Sequence, residues 1–302
     1  MLKKDHPITL VFFILGIAIL FFGTVMAVVL SFSNLTTSLS FGNKIGVIPI
    51  HGVIRNSDTI IEQLINFRND KKIKAIILRI NSPGGGVAPS QEIYCETRRT
   101  TQKKKVIASL GSLAASGGYY IASAADKIIA NPGTLTGSIG VLMEFVRIEE
   151  LLNKIGIEMQ VIKSGEFKDI GSPNRKMTDR ERELLESLSK DIRDQFVTAV
   201  SIGRNMPREK VLEIADARIF SGRQAKMLGL VDGLGNFRDA VNLAKRMANI
   251  KGEVKLVYPE EKRRSFLWDL LFKNLIDSVI NRIDCHYGLL EYRWNGKFNI
   301  SN

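Results

Sequence analysis

From residue 45 onward, short apolar runs alternate with amphipathic stretches: Ile45 to Ile50, Thr59 to Phe67, Ala75 to Ile80, Pro89 to about Thr100, and Val106 to Leu110. The first, third and fifth are continuous runs of strand length, and the two between them carry apolar residues at helical spacing. Strand–helix–strand order of this kind predicts βαβ units, a mostly parallel sheet and an α/β fold. Further on, the pattern predicts a helix over Ile148 to Ile155 and a strand over Glu158 to Lys163. A long helix follows, opened by Thr178-Asp179-Arg180-Glu181, which fits a capping box. Ser221 caps a short helix that Gly229 ends, and another helix runs from about Phe237 to Ala248. No internal repeat is visible, so the α/β unit occurs once.

The two ends of the chain read differently. Ile8 to Leu30 is 23 residues without a charge, long enough to cross a hydrocarbon core as a helix. Its length favours a retained anchor over a cleavable signal peptide, since no clear small-x-small cleavage site follows. Lys3 and Lys4 precede the run, whereas Ser31 to Asn43 is uncharged, so the positive-inside bias predicts a cytoplasmic amino terminus over 1–7. The expected topology is a single-pass protein of the inner or plasma membrane with its folded part outside the cytoplasm. Residues 31–44, rich in Ser, Thr and Asn, read as a linker. The folded domain is expected over 45–250, and 251–302 as an amphipathic tail. In that tail Glu261-Lys262-Arg263-Arg264 precedes Leu267, Leu270, Leu271, Leu275, Ile276, Val279, Ile280 and Ile283 at helical spacing. Such a stripe suits either a membrane surface or packing on protein, and the spacing does not separate the two.

Composition narrows the partners. The chain of 302 residues is 45% hydrophobic and 25% charged, which is a globular and not a disordered balance. Its net charge of +12 raises the question of nucleic acid, but the basic residues are spread along the chain without interleaved aromatics. Nucleic acid is therefore not expected, and the lipid bilayer is the more plausible anionic surface. Two cysteines, Cys95 and Cys285, are too few for a disulfide scaffold, and their pairing stays open.

Candidate chemistry centres on Gly111-Ser112-Leu113-Ala114-Ala115-Ser116-Gly117-Gly118-Tyr119-Tyr120. Ser116 follows a predicted strand and precedes a predicted helix. A serine hydroxyl needs a neighbouring base, either His or a Lys kept neutral by burial. The three histidines, His6, His51 and His286, are poorly placed for that task. Lys168, in Ser164-Gly165-Glu166-Phe167-Lys168-Asp169, is the alternative, with Phe167 and Ile170 near in sequence to desolvate it and Asp169 expected to face away. The loop Asn81-Ser82-Pro83-Gly84-Gly85-Gly86 also follows a strand. It lacks the Gly-Lys-Ser/Thr ending of a phosphate-binding loop, so an oxyanion hole or a plain tight turn are its two readings.

Five segments, Asn81–Gly86, Gly111–Tyr120, Thr134–Gly140, Ser164–Asp169 and Gly222–Ala225, closely resemble in order those of the signal peptide peptidase A family. The resemblance covers about residues 45–250. It implies a ClpP/crotonase-like fold of repeated ββα/βαβ units and a membrane-anchored serine endopeptidase that degrades remnant signal peptides. It further implies Ser116 as nucleophile, Lys168 as general base and Ser138 as the residue orienting the lysine. The backbone N–H groups of Gly84, Gly85 and Gly117 would form the oxyanion hole. No metal and no cofactor is called for. The short form implies a homo-oligomeric ring, octameric by resemblance, in which the dyad lies within one subunit or between two. A crotonase-type acyl-CoA enzyme and a catalytically inactive membrane scaffold are the competing readings.

Overall fold

The computed structural model describes residues 15–28, 43–260 and 291–293. The chain divides into two compact units, Met1–Gly42 and Asn43–Asn302.

In the first unit, residues 15–28 form helix α1. Among the described residues, no helix is long and apolar enough to cross a membrane. This overturns the expected transmembrane anchor over 8–30, and with it the single-pass topology, the extracytoplasmic placement of the domain and the bilayer as a partner. The remaining positions of that run, 8–14 and 29–30, lie outside the described residues, as do 31–42.

The second unit is an α/β domain. Its elements run β1 (Lys44–Ile54), α2 (Asp58–Asn69), β2 (Ile73–Gly86), α3 (Val87–Thr101), β3 (Lys105–Ala115), α4 (Gly117–Ser123), β4 (Lys127–Ala130) and β5 (Leu135–Gly137). They continue with α5 (Glu149–Lys154), α6 (Asp179–Arg204), α7 (Arg208–Leu212), β6 (Ile219–Ser221), α8 (Gly222–Met227), β7 (Gly233–Leu234), α9 (Phe237–Met247), β8 (Lys255–Val257) and β9 (Glu291–Arg293). Central strand β2 pairs in parallel with β1 and β3, and β8 extends the sheet in parallel beyond β1. Near its start β3 pairs with β4 and at its end with β5, both in parallel. Two ladders are antiparallel, β5 with β6 and β2 with β9.

The central strands are apolar at successive positions because both faces of the sheet are covered. Ile48, Ile50, Ile76, Leu78, Ile80, Val106 and Leu110 face one core, with Leu64 of α2, Ile93 of α3 and Phe196 and Val200 of α6. Ile45, Val47, Ala75, Ile77 and Ile107 face the other, closed by Ala240 and Ala244 of α9. Each fully buried aliphatic contributes about 1.5–3 kcal/mol of transfer free energy. Helix α6 begins as its sequence predicts: Thr178 accepts from the Glu181 N–H, and Glu181 reaches back to the Thr178 N–H at 2.8 Å. The same reciprocal cap joins Ser221 and Gln224 at α8.

Two other expectations change. Residues 157–163 carry no strand. Met159 and Val161 alternate there but stay 55% and 52% exposed, because no neighbouring backbone supplies a ladder and alternation alone does not make a strand. The amphipathic stripe Leu267 to Ile283 and Cys285 lie outside the described residues. What the tail shows instead is β9, a short strand paired on the glycine turn at the end of β2.

Candidate active site

The site is assembled where β2, β3 and β5 end side by side. Ser116 follows the last residue of β3 and caps α4, with φ 52° and ψ −119°, a region a non-glycine residue enters only when its surroundings hold it there. They do so through its own N–H, which donates to the Gly137 carbonyl at 2.8 Å, and its carbonyl, which accepts from Tyr120 N–H at 2.8 Å. Ser116 is 1% exposed. Because Ala115 pairs with Gly137, the next residue on each strand, Ser116 and Ser138, stand at equivalent positions. Ser138 also has positive φ, 53°, and its N–H donates to Arg218 O at 2.9 Å. Two left-handed serines on adjacent strand ends form a constrained pair.

The glycine turn comes against this pair from the β2 side. Gly84 has φ +100°, and a side chain there would lie 2.7 Å from the Gly117 nitrogen and collide with the Tyr292 carbonyl. Only glycine permits that approach. Of the three N–H groups expected to serve an oxyanion, that of Gly84 donates to Ser82 Oγ at 3.1 Å, while Ser82 Oγ donates to Gly52 O at 2.6 Å. Gly117 is the first residue of α4, so its N–H has no acceptor within the helix. Ser82, fully buried, was not singled out from the sequence. Its part in shaping the turn depends on a contact to β1 that local sequence does not reveal.

Lys168 lies elsewhere in character. It is exposed, and among the described residues no hydrogen bond joins it to Ser116. Phe167, expected to cover it, is 37% exposed and packs under the Arg180 guanidinium, 5.7 Å from the ring centroid. The Asp169 carboxylate is turned to Lys163 at 2.7 Å and to Arg175 at 2.8 and 2.9 Å. Hydrogen bonds from Arg175 and then Lys163 hold Asp169 well below the usual carboxylate range. Arg175 also bonds Glu181, whose pKa is drawn down to about 2, first by that bond and then by the Thr178 N–H. A cavity of about 550 Å³ lies beside this segment, between Val141, Phe145, Val146, Arg175 and Leu185.

Behind Ser116 lies an aromatic cluster. Tyr120 is 4.8 Å from Phe196 and 5.0 Å from Tyr94 between ring centroids, and stacks on Tyr292 at 5.2 Å. Tyr119, its neighbour, faces the opposite way and donates to Leu230 O at 2.8 Å. The Tyr119-Tyr120 pair was visible in the sequence, but which ring faces the site follows from the helix packing.

Comparison with known proteins decides the family. The Peptidase family S49 profile matches residues 98–251, and the Clp protease profile matches residues 46–134. A putative protease of Methanocaldococcus jannaschii is 32% identical over 278 residues, covering 87% of this chain and 89% of the relative. The chain belongs to peptidase family S49. A putative protease of Synechocystis sp. is 49% identical over 181 residues, 60% of this chain and 65% of that protein. The chloroplastic serine protease SPPA of Arabidopsis thaliana is 35% identical over 236 residues, 78% of this chain and 35% of that protein. The chain thus matches less than two thirds of the length of two of these three relatives. As a member of family S49 it is a serine endopeptidase. Since no helix among the described residues is long and apolar enough to cross a membrane, the anchored endopeptidase expected from sequence is corrected to a serine endopeptidase without that anchor.

Proposed function

We propose that the chain hydrolyses extended peptides by a Ser–Lys dyad, with Ser116 as nucleophile and Lys168 as general base. The observation that carries this reading is the backbone of Ser116. It is held at positive φ at a strand-to-helix turn, directly against a glycine turn whose close approach no other residue type allows. Such a turn presents a hydroxyl on a fixed frame, as hydrolase nucleophiles require. Ser116 Oγ attacks the peptide carbonyl, its proton passes to the lysine amine, and the oxyanion is met by the Gly117 N–H with a second N–H from the Gly84–Gly85 turn. Gly85 is the better second donor, since the Gly84 N–H is held by Ser82. Ser138, at the position equivalent to Ser116 on the next strand, orients the lysine. Substrates follow from the aromatic cluster behind the serine: peptides with a large apolar residue at the cleavage site. Signal-peptide cores, rich in Leu, Ala, Val and Phe, are the class the motif resemblance adds.

A lysine acts as a base only when its amine is desolvated enough to be neutral. Because Lys168 is exposed in one chain, this reading assigns that cover to a second copy, whose Ser116 this lysine would serve. Mixing Ser116→Ala and Lys168→Ala chains in equal amounts tests it. Recovery of roughly a quarter of wild-type peptide cleavage is expected if sites form between randomly mixed copies. A silent mixture places both groups in one chain. Either single variant retaining substantial cleavage removes the dyad.

A further inference from the structure

A second polar site lies beside β4 and β7, near the start of β3, whereas Ser116 follows the end of that strand. A cavity of about 730 Å³ there is lined by four cations, Lys127, Arg204, Lys226 and Arg246, and by two carboxylates, Asp232 and Asp239. Asp232 is the hub. Its Oδ1 accepts from Lys127 Nζ at 3.0 Å, its Oδ2 lies 2.9 Å from Arg204 Nη2 and 2.8 Å from the Ile128 nitrogen, and its carbonyl oxygen accepts from Lys226 Nζ. Asp239 is engaged elsewhere, since its Oδ2 accepts from the Asn236 N–H at 2.8 Å and closes the cap of α9. One residue therefore answers three cations, and the Arg246 guanidinium has no partner among the described residues.

The four cations come from four elements. Arg204 ends α6, Lys226 stands in the last turn of α8 and Arg246 in that of α9, positions where a cation offsets the negative end of a helix. That accounts for each of them singly. It does not account for their meeting over one cavity together with Lys127 of β4, because like charges brought together repel. Arg204 is turned inward, with its side chain 7% exposed, and its Nε donates to the Gly229 carbonyl at 3.3 Å. A lysine ammonium has three donors, so Lys127 and Lys226, each with one acceptor, keep two apiece for something else. The other wall is apolar: Ile129, Leu234 and Leu243 line it, and Leu234 is left 43% exposed.

We propose that this cavity is a binding site for a phosphate monoester carrying an apolar body, separate from the Ser116 dyad. An excess of two positive charges suits a dianion. The three terminal oxygens of a phosphate accept from several directions, which matches ammonium and guanidinium donors arriving from different elements. Lys127, Lys226 and Arg246 hold the phosphate, Asp232 keeps the buried Arg204 fixed beneath it, and the body lies on Leu234 and Leu243. A carboxylate, planar and singly charged, answers only part of that donor set.

Calorimetric titration of the full chain with phenyl phosphate, inorganic phosphate and benzoate at low ionic strength tests this. Phenyl phosphate is expected to bind at one site per chain, roughly tenfold or more tighter than inorganic phosphate, because its ring is buried, and roughly tenfold or more tighter than benzoate. Lys226→Gln and Arg246→Gln, both at exposed positions, should each weaken it roughly tenfold, as loss of one charge-assisted hydrogen bond does, with thermal midpoints unchanged. Ser116→Ala should bind as the wild type does. A wild type that does not saturate with phenyl phosphate overturns the proposal. So do benzoate or inorganic phosphate binding as tightly as phenyl phosphate, and wild-type affinity in both the Lys226 and Arg246 variants. Loss of binding in Ser116→Ala overturns it as well, by placing the ligand in the cleft of the nucleophile.

Discussion

The two residues of the proposed dyad are held by different physics. Ser116 sits on the buried end of a parallel sheet, fixed by main-chain bonds to Gly137 and Tyr120 and pressed by a glycine turn. Lys168 sits on an exposed segment between residues 157 and 177 that is tied down by charged side chains, chiefly Asp169, Arg175 and Glu181. Apolar burial and sheet ladders respond weakly to pH and salt, whereas ion pairs near the surface respond to both. The nucleophile is thus prebuilt and the base conditional, so activity should be lost through the lysine side before the fold is touched.

The largest expected effects separate the two regions by rescue. Ser116→Ala should lower kcat/KM by roughly a thousandfold or more, the usual consequence of removing a nucleophile. Lys168→Ala should do the same with an unchanged thermal midpoint, since an exposed lysine contributes little to the fold. Only the second region should respond to an added base: small primary amines are expected to restore some cleavage to Lys168→Ala and none to Ser116→Ala. Rescue of both, or a large loss of stability in Lys168→Ala, would erase the contrast.

Next in size is Gly84→Ala. The substitution places a methyl where the Gly117 nitrogen and the Tyr292 carbonyl already stand, at φ +100°. Roughly 1–3 kcal/mol of stability should be lost to backbone strain, and cleavage should fall roughly a hundredfold or more, as when an oxyanion donor is displaced. Melting curves and kcat/KM on the same preparations would show it. Wild-type values for both would mean that the close approach of turn and helix has no role.

The same contrast explains what could be read from the sequence. Strands β1 to β3 and helices α2, α3, α6 and α9 were legible because their apolar periodicity reports burial directly, and Thr178 and Ser221 announced their helices through local caps. The Ser116 and Gly84 motifs were legible as positions because strand-to-helix turns are local. Around Lys168 the pattern misled: Met159 and Val161 alternate like a strand, yet they stay exposed without a ladder, and Phe167 packs under Arg180 instead of covering the lysine. Strand β9 was illegible for a third reason. Three residues at the end of a chain carry no periodicity, and their partner lies some two hundred residues earlier at Gly84–Gly86. The uncharged run near the amino terminus had the composition of a span, but among the described residues no helix is long and apolar enough to cross a membrane.

Acid should open the lysine segment while the sheet holds. Asp169 and Glu181 both have folded pKa values below their ordinary ones, because Arg175 stabilises the carboxylates. In that case the unfolded segment takes up protons first, so the stabilisation is complete above about pH 4–5 and is lost as pH falls through that range towards about 2. Hydrogen exchange between pH 5 and pH 2.5, corrected for intrinsic rates, should show residues 163–181 losing protection ahead of β1 to β3. Asp169→Asn should shift the segment's opening to neutral pH. Simultaneous loss in both regions would show that they share one cooperative unit.

The smallest effect tests whether charge on the outermost surface of that segment matters at all. Arg180 bonds both oxygens of Glu166 at 2.8 and 2.9 Å and lies over Phe167, yet its side chain is 71% exposed. An ion pair so open to water contributes about 0.2–1 kcal/mol, and the cation–π contact adds about as much. Arg180→Ala is therefore expected to lower the thermal midpoint by roughly 1–8 °C, given that roughly 1 kcal/mol moves the midpoint of a domain this size by about 2–4 °C. Its effect on cleavage should be less than about threefold, and half a molar salt should produce a similar change in the wild type by screening the same pair. A much larger loss of activity without loss of stability would show that Phe167, freed from Arg180, no longer supports Lys168. The boundary of the conditional half of the site would then lie one residue pair further out than the ion-pair network of Asp169, Arg175 and Glu181.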